Sequence, residues 1–215
     1  IASRYQNGKT YETESVVFWN SDNGFSPDHT TMFPTGGAMG CTAADLDGDG
    51  RTEVIFNSTM GGPSQIDPDF PLYIYLGTDE ADYSVARRLE LPTGGGTNTY
   101  ILSDLDLDGH PDLAIVSPEG LRIFYGGPGG LDPSNYTILH TKGQPFHYVL
   151  VGDFDRDGWL DLIGIGYTYD DKPETLASSS VLYHGGPDGF SDERTTVVPT
   201  YCSGNAQVAD VNNDG

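Results

Sequence analysis

Three nine-residue stretches of the chain superimpose without gaps: Asp45-Leu-Asp-Gly-Asp-Gly-Arg-Thr-Glu53, Asp104-Leu-Asp-Leu-Asp-Gly-His-Pro-Asp112 and Asp153-Phe-Asp-Arg-Asp-Gly-Trp-Leu-Asp161. A fourth copy, Asp210-Val-Asn-Asn-Asp-Gly215, stops where the sequence stops. The four starts are 59, 49 and 57 residues apart. A second element keeps step with the first: a strand-like aromatic end, then a turn. Its copies begin at Phe18-Trp19-Asn20, Tyr75-Leu76-Gly77, Phe124-Tyr125-Gly126-Gly127-Pro128 and Tyr183-His184-Gly185-Gly186-Pro187. Two features sharing one irregular spacing identify a repeat architecture, in which each unit leans on its neighbours for a core.

Each unit reads as four short strands. Gly40–Ala44, Val54–Asn57, Leu72–Leu76 and Arg87–Leu91 make the first complete one. Tyr100–Ser103, Leu113–Val116, Leu121–Tyr125 and Thr137–His140 make the second, and Tyr148–Gly152, Leu162–Ile165, Ser180–Tyr183 and Thr195–Val198 the third. β-Branched and aromatic runs between Gly, Pro and Asn turns are antiparallel sheet material. No stretch carries a capped apolar period of 3.6. The expected class is therefore all-β, a β-propeller of four-stranded antiparallel blades. We expect a single incomplete domain over residues 1–215. Its blade units run over 1–37 (outer strands only), 38–96, 97–145, 146–203 and 204–215 (start only). With 29 Gly and 14 Pro, the composition suits many tight turns.

In Asp-x-Asp-x-Asp-Gly-x-x-Asp/Glu, carboxylates fall at alternate positions, and a tight loop turns them toward one point. Such a set of hard oxygens suits Ca²⁺, which takes ~6–8 oxygen ligands in flexible geometry. Positions 1, 3 and 5 are Asp45, Asp47 and Asp49; Asp104, Asp106 and Asp108; Asp153, Asp155 and Asp157. Position 7 is expected to offer only its backbone oxygen, so Arg51, His110 and Trp159 are free to differ. Position 9, Glu53, Asp112 or Asp161, closes the cage. The truncated copy offers Asp210, Asn212 and Asp214 for a fourth site, with Asn in place of Asp. An EF-hand would need Glu at position 12 and a helix after it, but Phe56, Ile115 and Gly164 stand there in apolar strands. The loop joins two strands.

These Asp loops, with Tyr125-Gly126-Gly127-Pro128 and His184-Gly185-Gly186-Pro187, resemble the FG-GAP/VCBS repeats of integrin α-subunit propellers and secreted bacterial proteins. The resemblance implies a propeller, commonly seven-bladed, with calcium in the loop between the first and second strands of a blade. It departs from the pattern at Gly77-Thr78-Asp79-Glu80, where Gly-Gly-Pro is expected.

Thirty-two acidic against ten basic side chains give a formal charge of -22, which excludes the Lys/Arg-dominated chemistry of nucleic-acid binding. No apolar run approaches the ~20 residues that span a bilayer. Cys41 and Cys202 are too few for a disulfide framework and match no zinc or redox spacing. No leader opens the chain at Ile1, and we expect it to be part of a longer one.

A loop of four carboxylates repels itself until a cation enters, so the ion is expected to be structural, at the millimolar calcium of an extracellular or cell-surface setting. Ligand contacts are expected on the opposite loops, from His147, Tyr167 and Tyr169, with a glycan or extracellular protein as partner. Among the five histidines His147 alone falls in a plausible site loop, and no catalytic motif is present. The expected role is a non-catalytic binding or adhesion module. The alternatives are a polysaccharide-degrading enzyme on a propeller and a purely structural repeat. Asn57-Ser58-Thr59 and Asn135-Tyr136-Thr137 fit the N-glycosylation triplet.

Overall fold

The computed structural model describes residues 1, 10–58, 70–80, 82–97, 99–143, 145–167, 177–201 and 206–211. Among these, strands dominate, and the one helical element is a single 3₁₀ turn, Val85–Arg87. No helix among them is long and apolar enough to cross a membrane.

The chain divides into two compact units, Ile1–Asn98 and Thr99–Gly215. The first holds a two-stranded sheet, β1 (Glu14–Phe18) with β2 (Thr30–Pro34). It also holds a four-stranded sheet of β3 (Ala38–Ala44), β4 (Glu53–Ser58), β5 (Leu72–Tyr75) and β6 (Arg88–Leu91). The second unit holds β7 (Tyr100–Ser103), β8 (Asp112–Ser117), β9 (Gly120–Phe124) and β10 (Tyr136–His140) in one sheet. Its other sheet is β11 (Phe146–Gly152), β12 (Asp161–Gly166), β13 (Ala177–Tyr183) and β14 (Thr195–Tyr201). All pairings are antiparallel between neighbours in sequence, the up-and-down order of a propeller blade. The expected strands are all present; eight of the twelve run one to three residues longer than the apolar runs indicate, and β5 and β6 are each one residue shorter.

Burial explains the residue choice. Every residue of β4 and β8 is buried, and β12 is nearly so, because a second strand is covered on both faces. Such strands read as continuous apolar runs. In the first unit, Val17 and Phe33 of the two-stranded sheet share a core with Val54, Phe56 and Tyr75. The Phe33 ring meets Tyr75 edge-on at 4.9 Å. In the second unit, Leu121, Ile123 and Leu139 pack with Phe146, Leu162, Val181 and Tyr183. Each such side chain contributes about 1.5–3 kcal/mol by leaving water.

One polar link recurs at these sheet contacts. The Tyr183 hydroxyl donates to the His140 carbonyl at the end of β10, 2.6 Å away. The Tyr75 hydroxyl likewise donates to the Pro34 carbonyl at the end of β2. A third-strand tyrosine thus ties its sheet to the last strand of the preceding one.

Candidate metal centres

The Asp loops connect β3 to β4, β7 to β8 and β11 to β12, and their backbone is folded by their own carboxylates. At position 1, one oxygen of Asp45, Asp104 or Asp153 accepts the N–H of the position-6 glycine at 2.9, 2.9 and 3.0 Å. Position 3 accepts the N–H of position 5 at 3.1–3.2 Å. Position 5 accepts the N–H of position 7 at 2.8–2.9 Å. These are Asx-type turns laid end to end, which hold the carboxylates on one side of the loop.

Gly50, Gly109 and Gly158 at position 6 have φ of 84°, 92° and 92°, as their residue type anticipates. Position 4 is also left-handed, which the sequence reading did not foresee. Gly48 satisfies it in the first loop, whereas Leu107 (φ 62°) and Arg156 (φ 63°) adopt it against their Cβ. That conformation costs a non-glycine residue about 1–2 kcal/mol.

Position 9 does more than close a cage. Glu53, Asp112 and Asp161 are 3%, 1% and 0% exposed. Each accepts two backbone N–H bonds. One comes from position 2 of its own loop: Leu46, Leu105 or Phe154, at 2.8, 2.7 and 2.8 Å. The other comes from the glycine after the third strand: Gly77, Gly126 or Gly185, at 3.3, 2.7 and 2.9 Å. A Cβ on those glycines would stand 2.6, 2.3 or 2.1 Å from the carbonyl oxygen of position 8. This close approach is why glycine follows the aromatic strand end in the three units that carry a complete Asp loop, Gly77 included. The repeated turn and the repeated loop are one structure.

The electrostatics are those of an acid-rich site. Burial raises the carboxyl of Asp112 to about 6, against the two N–H bonds, and the charge of Asp106 adds to the rise. Burial likewise raises Glu53, with Asp47 and Asp49 contributing. Asp106 is raised by burial and by Asp108 and Asp104.

Carboxylate oxygens converge to within 4.8 Å in Asp45/Asp47/Glu53, in Asp104/Asp106/Asp108 and in Asp153/Asp155/Asp157. A fourth group of the same span joins Asp155 and Asp161 to a nitrogen of His184. The first three sets are all hard oxygen and fit a divalent cation of the Ca²⁺ type. In the first loop Asp49 stands outside the cluster, because the Arg51 guanidinium pairs with it and, at 2.8 Å, with Asp79. The side chain of position 7 is therefore not idle there: it supplies a built-in counter-charge, and it holds the Asp79 carboxyl below its usual range.

Of the fourth copy, Asp210 is exposed, and Asn212 and Asp214 lie outside the described residues. His147 is a correction to the expected loop: it sits inside β11, at a register shift between Phe146 and Tyr148. Its ring lies 5.1 Å from that of Tyr167, so these two candidates do meet. Tyr169 lies outside the described residues. Asn57 is 3% exposed and its side chain donates to the Thr97 carbonyl, which removes the acceptor amide of the first glycosylation triplet from the folded surface. His184, which the sequence places at a strand end, stands beside Asp155 and Asp161, a neighbourhood that the sequence reading missed. The available signal was its place directly before Gly185, whose N–H binds Asp161.

Comparison with known proteins agrees with this geometry. A family profile described as FG-GAP-like repeat matches residues 4–56 and 104–164, segments that contain all three complete Asp loops. Among curated proteins, integrin alpha-5 of Xenopus laevis is 28% identical over 187 residues, covering 72% of this chain and 17% of the relative. Integrin alpha-7 of Homo sapiens is 27% identical over 168 residues, covering 73% and 14%. Integrin alpha-4 of Xenopus laevis is 28% identical over 168 residues, covering 68% and 16%. The chain thus spans less than a fifth of the length of these relatives. With the repeat matched over more than half of its residues, and with blade-ordered sheets joined by the Asp loops, the chain belongs to the FG-GAP-like repeat family and has its all-β propeller fold.

Proposed function

We propose that this chain is a segment of an extracellular, calcium-stabilised β-propeller that acts as a non-catalytic adhesion module. The observation that carries the reading is the position-9 carboxylate. It is buried, strung between the loop and the end of the third strand, and surrounded by further acids. A divalent cation offsets that repulsion and clamps the loop to both strands, so its binding is coupled to folding.

In the first loop Asp45, Asp47, Glu53 and the backbone oxygen of Arg51 would hold the ion, with Asp49 shared with the guanidinium. In the second, Asp104, Asp106, Asp108, Asp112 and the backbone oxygen of His110 would do so. In the third, Asp153, Asp155, Asp157, Asp161 and the backbone oxygen of Trp159 are the set. Asp210, Asn212 and Asp214 would supply a fourth with residues that follow in a longer chain. The cation supplies charge neutralisation and no chemistry on a substrate. Extracellular modules of this kind work at ~10⁻⁴–10⁻³ M calcium.

The likeness to integrin alpha chains supports an extracellular protein as partner. A glycan is the other candidate, and His147 beside Tyr167 offers an aromatic platform for either. The test is calorimetric. Millimolar Ca²⁺ is expected to raise the melting temperature of the EDTA-treated chain, and Mg²⁺ to raise it less. A melting curve indifferent to Ca²⁺ would sink the structural role. Retention on immobilised extracellular-matrix proteins or glycans in Ca²⁺, lost in EDTA, tests the adhesion role; inertness toward both would leave a structural repeat.

A further inference from the structure

The outer hairpins β1–β2, β5–β6, β9–β10 and β13–β14 all close on one backbone hydrogen bond. The N–H of Trp19, Leu76, Tyr125 or His184 donates to the carbonyl of the residue just before the outer strand, which is His29, Arg87, Asn135 or Arg194. The four distances are 2.8, 3.3, 3.4 and 2.9 Å. The fold uses that residue's carbonyl and leaves its side chain free to differ, as histidine, arginine or asparagine. In β9–β10 the residue is Asn135, which opens the triplet Asn135-Tyr136-Thr137.

Asn135 is exposed, at the start of the edge strand of its sheet. Its turn is built without its amide. The Asn135 N–H bonds to the Asp132 carbonyl at 3.1 Å, and the Asp132 carboxylate takes the N–H and hydroxyl of Ser134 at 2.8 and 2.7 Å. Among the described residues the Asn135 side chain makes no hydrogen bond, so a bulky group on Nδ2 displaces nothing.

The triplet Asn57-Ser58-Thr59 has the opposite placement. Asn57 lies inside β4, and Ser58 after it is 1% exposed. Nδ2 of Asn57, the atom a sugar would occupy, donates to the Thr97 carbonyl at 3.3 Å. Its Oδ1 stands 2.7 Å from where a Cβ on Gly40 would be, so the amide is packed on that side as well. A sugar there must break the strand. In the second triplet the Thr137 side chain hydrogen-bonds the Tyr125 phenol once the hairpin has closed. A transferase that needs the Thr hydroxyl therefore reads either triplet before folding, and the fold decides which product survives.

Resting on the extracellular reading above, we propose that Asn135 is an N-glycosylation site, and that Asn57, with the same motif, is unoccupied in the folded protein. The co-substrate is a lipid-pyrophosphate-linked oligosaccharide. Nδ2 of Asn135 attacks its anomeric carbon and a C–N bond forms as the C–O bond to pyrophosphate breaks. The pyrophosphate leaves with that bond's electron pair, and one amide proton goes to a base.

The experiment passes the full chain through the secretory pathway of a eukaryotic host and maps glycans by peptide-N-glycosidase treatment and tandem mass spectrometry. The secreted chain is expected to carry one N-glycan, at Asn135, whose removal shifts its mobility and leaves Asp at 135. Asn135→Gln and Thr137→Ala should lose the shift, whereas Thr137→Ser should keep it. Thr59→Ala erases the first triplet without touching Asn57 and should change nothing. The intracellular chain is mapped alongside, so a variant that fails to fold still reports its occupancy. A bare Asn135 in both fractions, or a secreted, folded chain glycosylated at Asn57, overturns the proposal. Failure of the extracellular reading would look different: the protein would stay in the cytosol of its own cells, while the chain directed into the secretory pathway still gained its glycan at Asn135.

Discussion

Asp112 turns the charge of its loop into a measurable pH effect on stability. In the ion-free chain its carboxyl titrates near 6 instead of 3.8, because the buried charge outweighs the N–H bonds from Leu105 and Gly126. Between those values the folded state keeps a proton that the unfolded chain has released. Stability contributed by this group is therefore complete below about pH 4 and is lost as pH rises through 6. A shift of roughly two units at 1.36 kcal/mol each makes the loss about 3 kcal/mol at its upper bound, since the side chain is 1% exposed. For a chain of 215 residues that unfolds as a whole, this corresponds to a fall of about 6–12 °C in Tm between pH 4 and pH 7. Glu53 and Asp106, also raised, add in the same direction. Asp79 and Asp132 are lowered and act oppositely, but both are exposed and screened.

The assay is scanning calorimetry in EDTA from pH 4 to 7, repeated with millimolar Ca²⁺ and with Asp112→Asn. The asparagine cannot ionise, so most of the acid-side step should vanish. Its amide oxygen accepts from Leu105 or Gly126 but not both, and the remaining N–H is orphaned at a cost of about 1–3 kcal/mol. The variant should accordingly be less stable than the parent at pH 4 and close to it at pH 7. Added Ca²⁺ should lift the parent at pH 7 and lift the variant less. An ion-free parent whose Tm climbs from pH 4 to 6, or an Asp112→Asn variant that keeps the whole step, would refute the account of a strained buried carboxylate.

Other substitutions probe the remaining joints. Gly126→Ala places a methyl 2.3 Å from the Pro111 carbonyl and must push the turn off Asp112; a loss of about 1–3 kcal/mol in denaturant unfolding is expected, and a neutral result would refute the close-approach argument. Leu107→Gly relieves a left-handed backbone and, net of the glycine's added unfolded-state freedom, should stabilise the ion-free chain by about 0.5–1 kcal/mol, whereas Gly48→Ala should do the reverse. Tyr183→Phe leaves the His140 carbonyl without its hydroxyl donor and should cost about 1–2 kcal/mol with little change in Ca²⁺ affinity, both read by chemical denaturation and calorimetry.

The repeats, the strands and the three loops were legible because their information is local. Nine contiguous residues contain the alternation of carboxylates, the glycine at position 6 and the Asx turns that fold them, and each strand is a short apolar run next to its own turn. Strand ends were shorter in the sequence reading because polar terminal residues such as Glu53, Asp112 and Asp161 look like loop, although they pair in β4, β8 and β12. The same locality accounts for what was missed. Whether Arg51 is an idle filler or the partner of Asp49 and Asp79 depends on a residue 28 positions away. Whether Asn57 faces sugar-bearing enzymes or the Thr97 carbonyl depends on one 40 positions away. The joining of Asp161 to Gly185 and His184 is set by the register of β12 on β13, Leu162 against Tyr183, which no window of sequence contains. Carboxylate spacing along the chain therefore determines that an acid-rich bend exists at each blade. Strand pairing alone decides which distant groups close over it, because hydrogen-bond register fixes which side chains share a face.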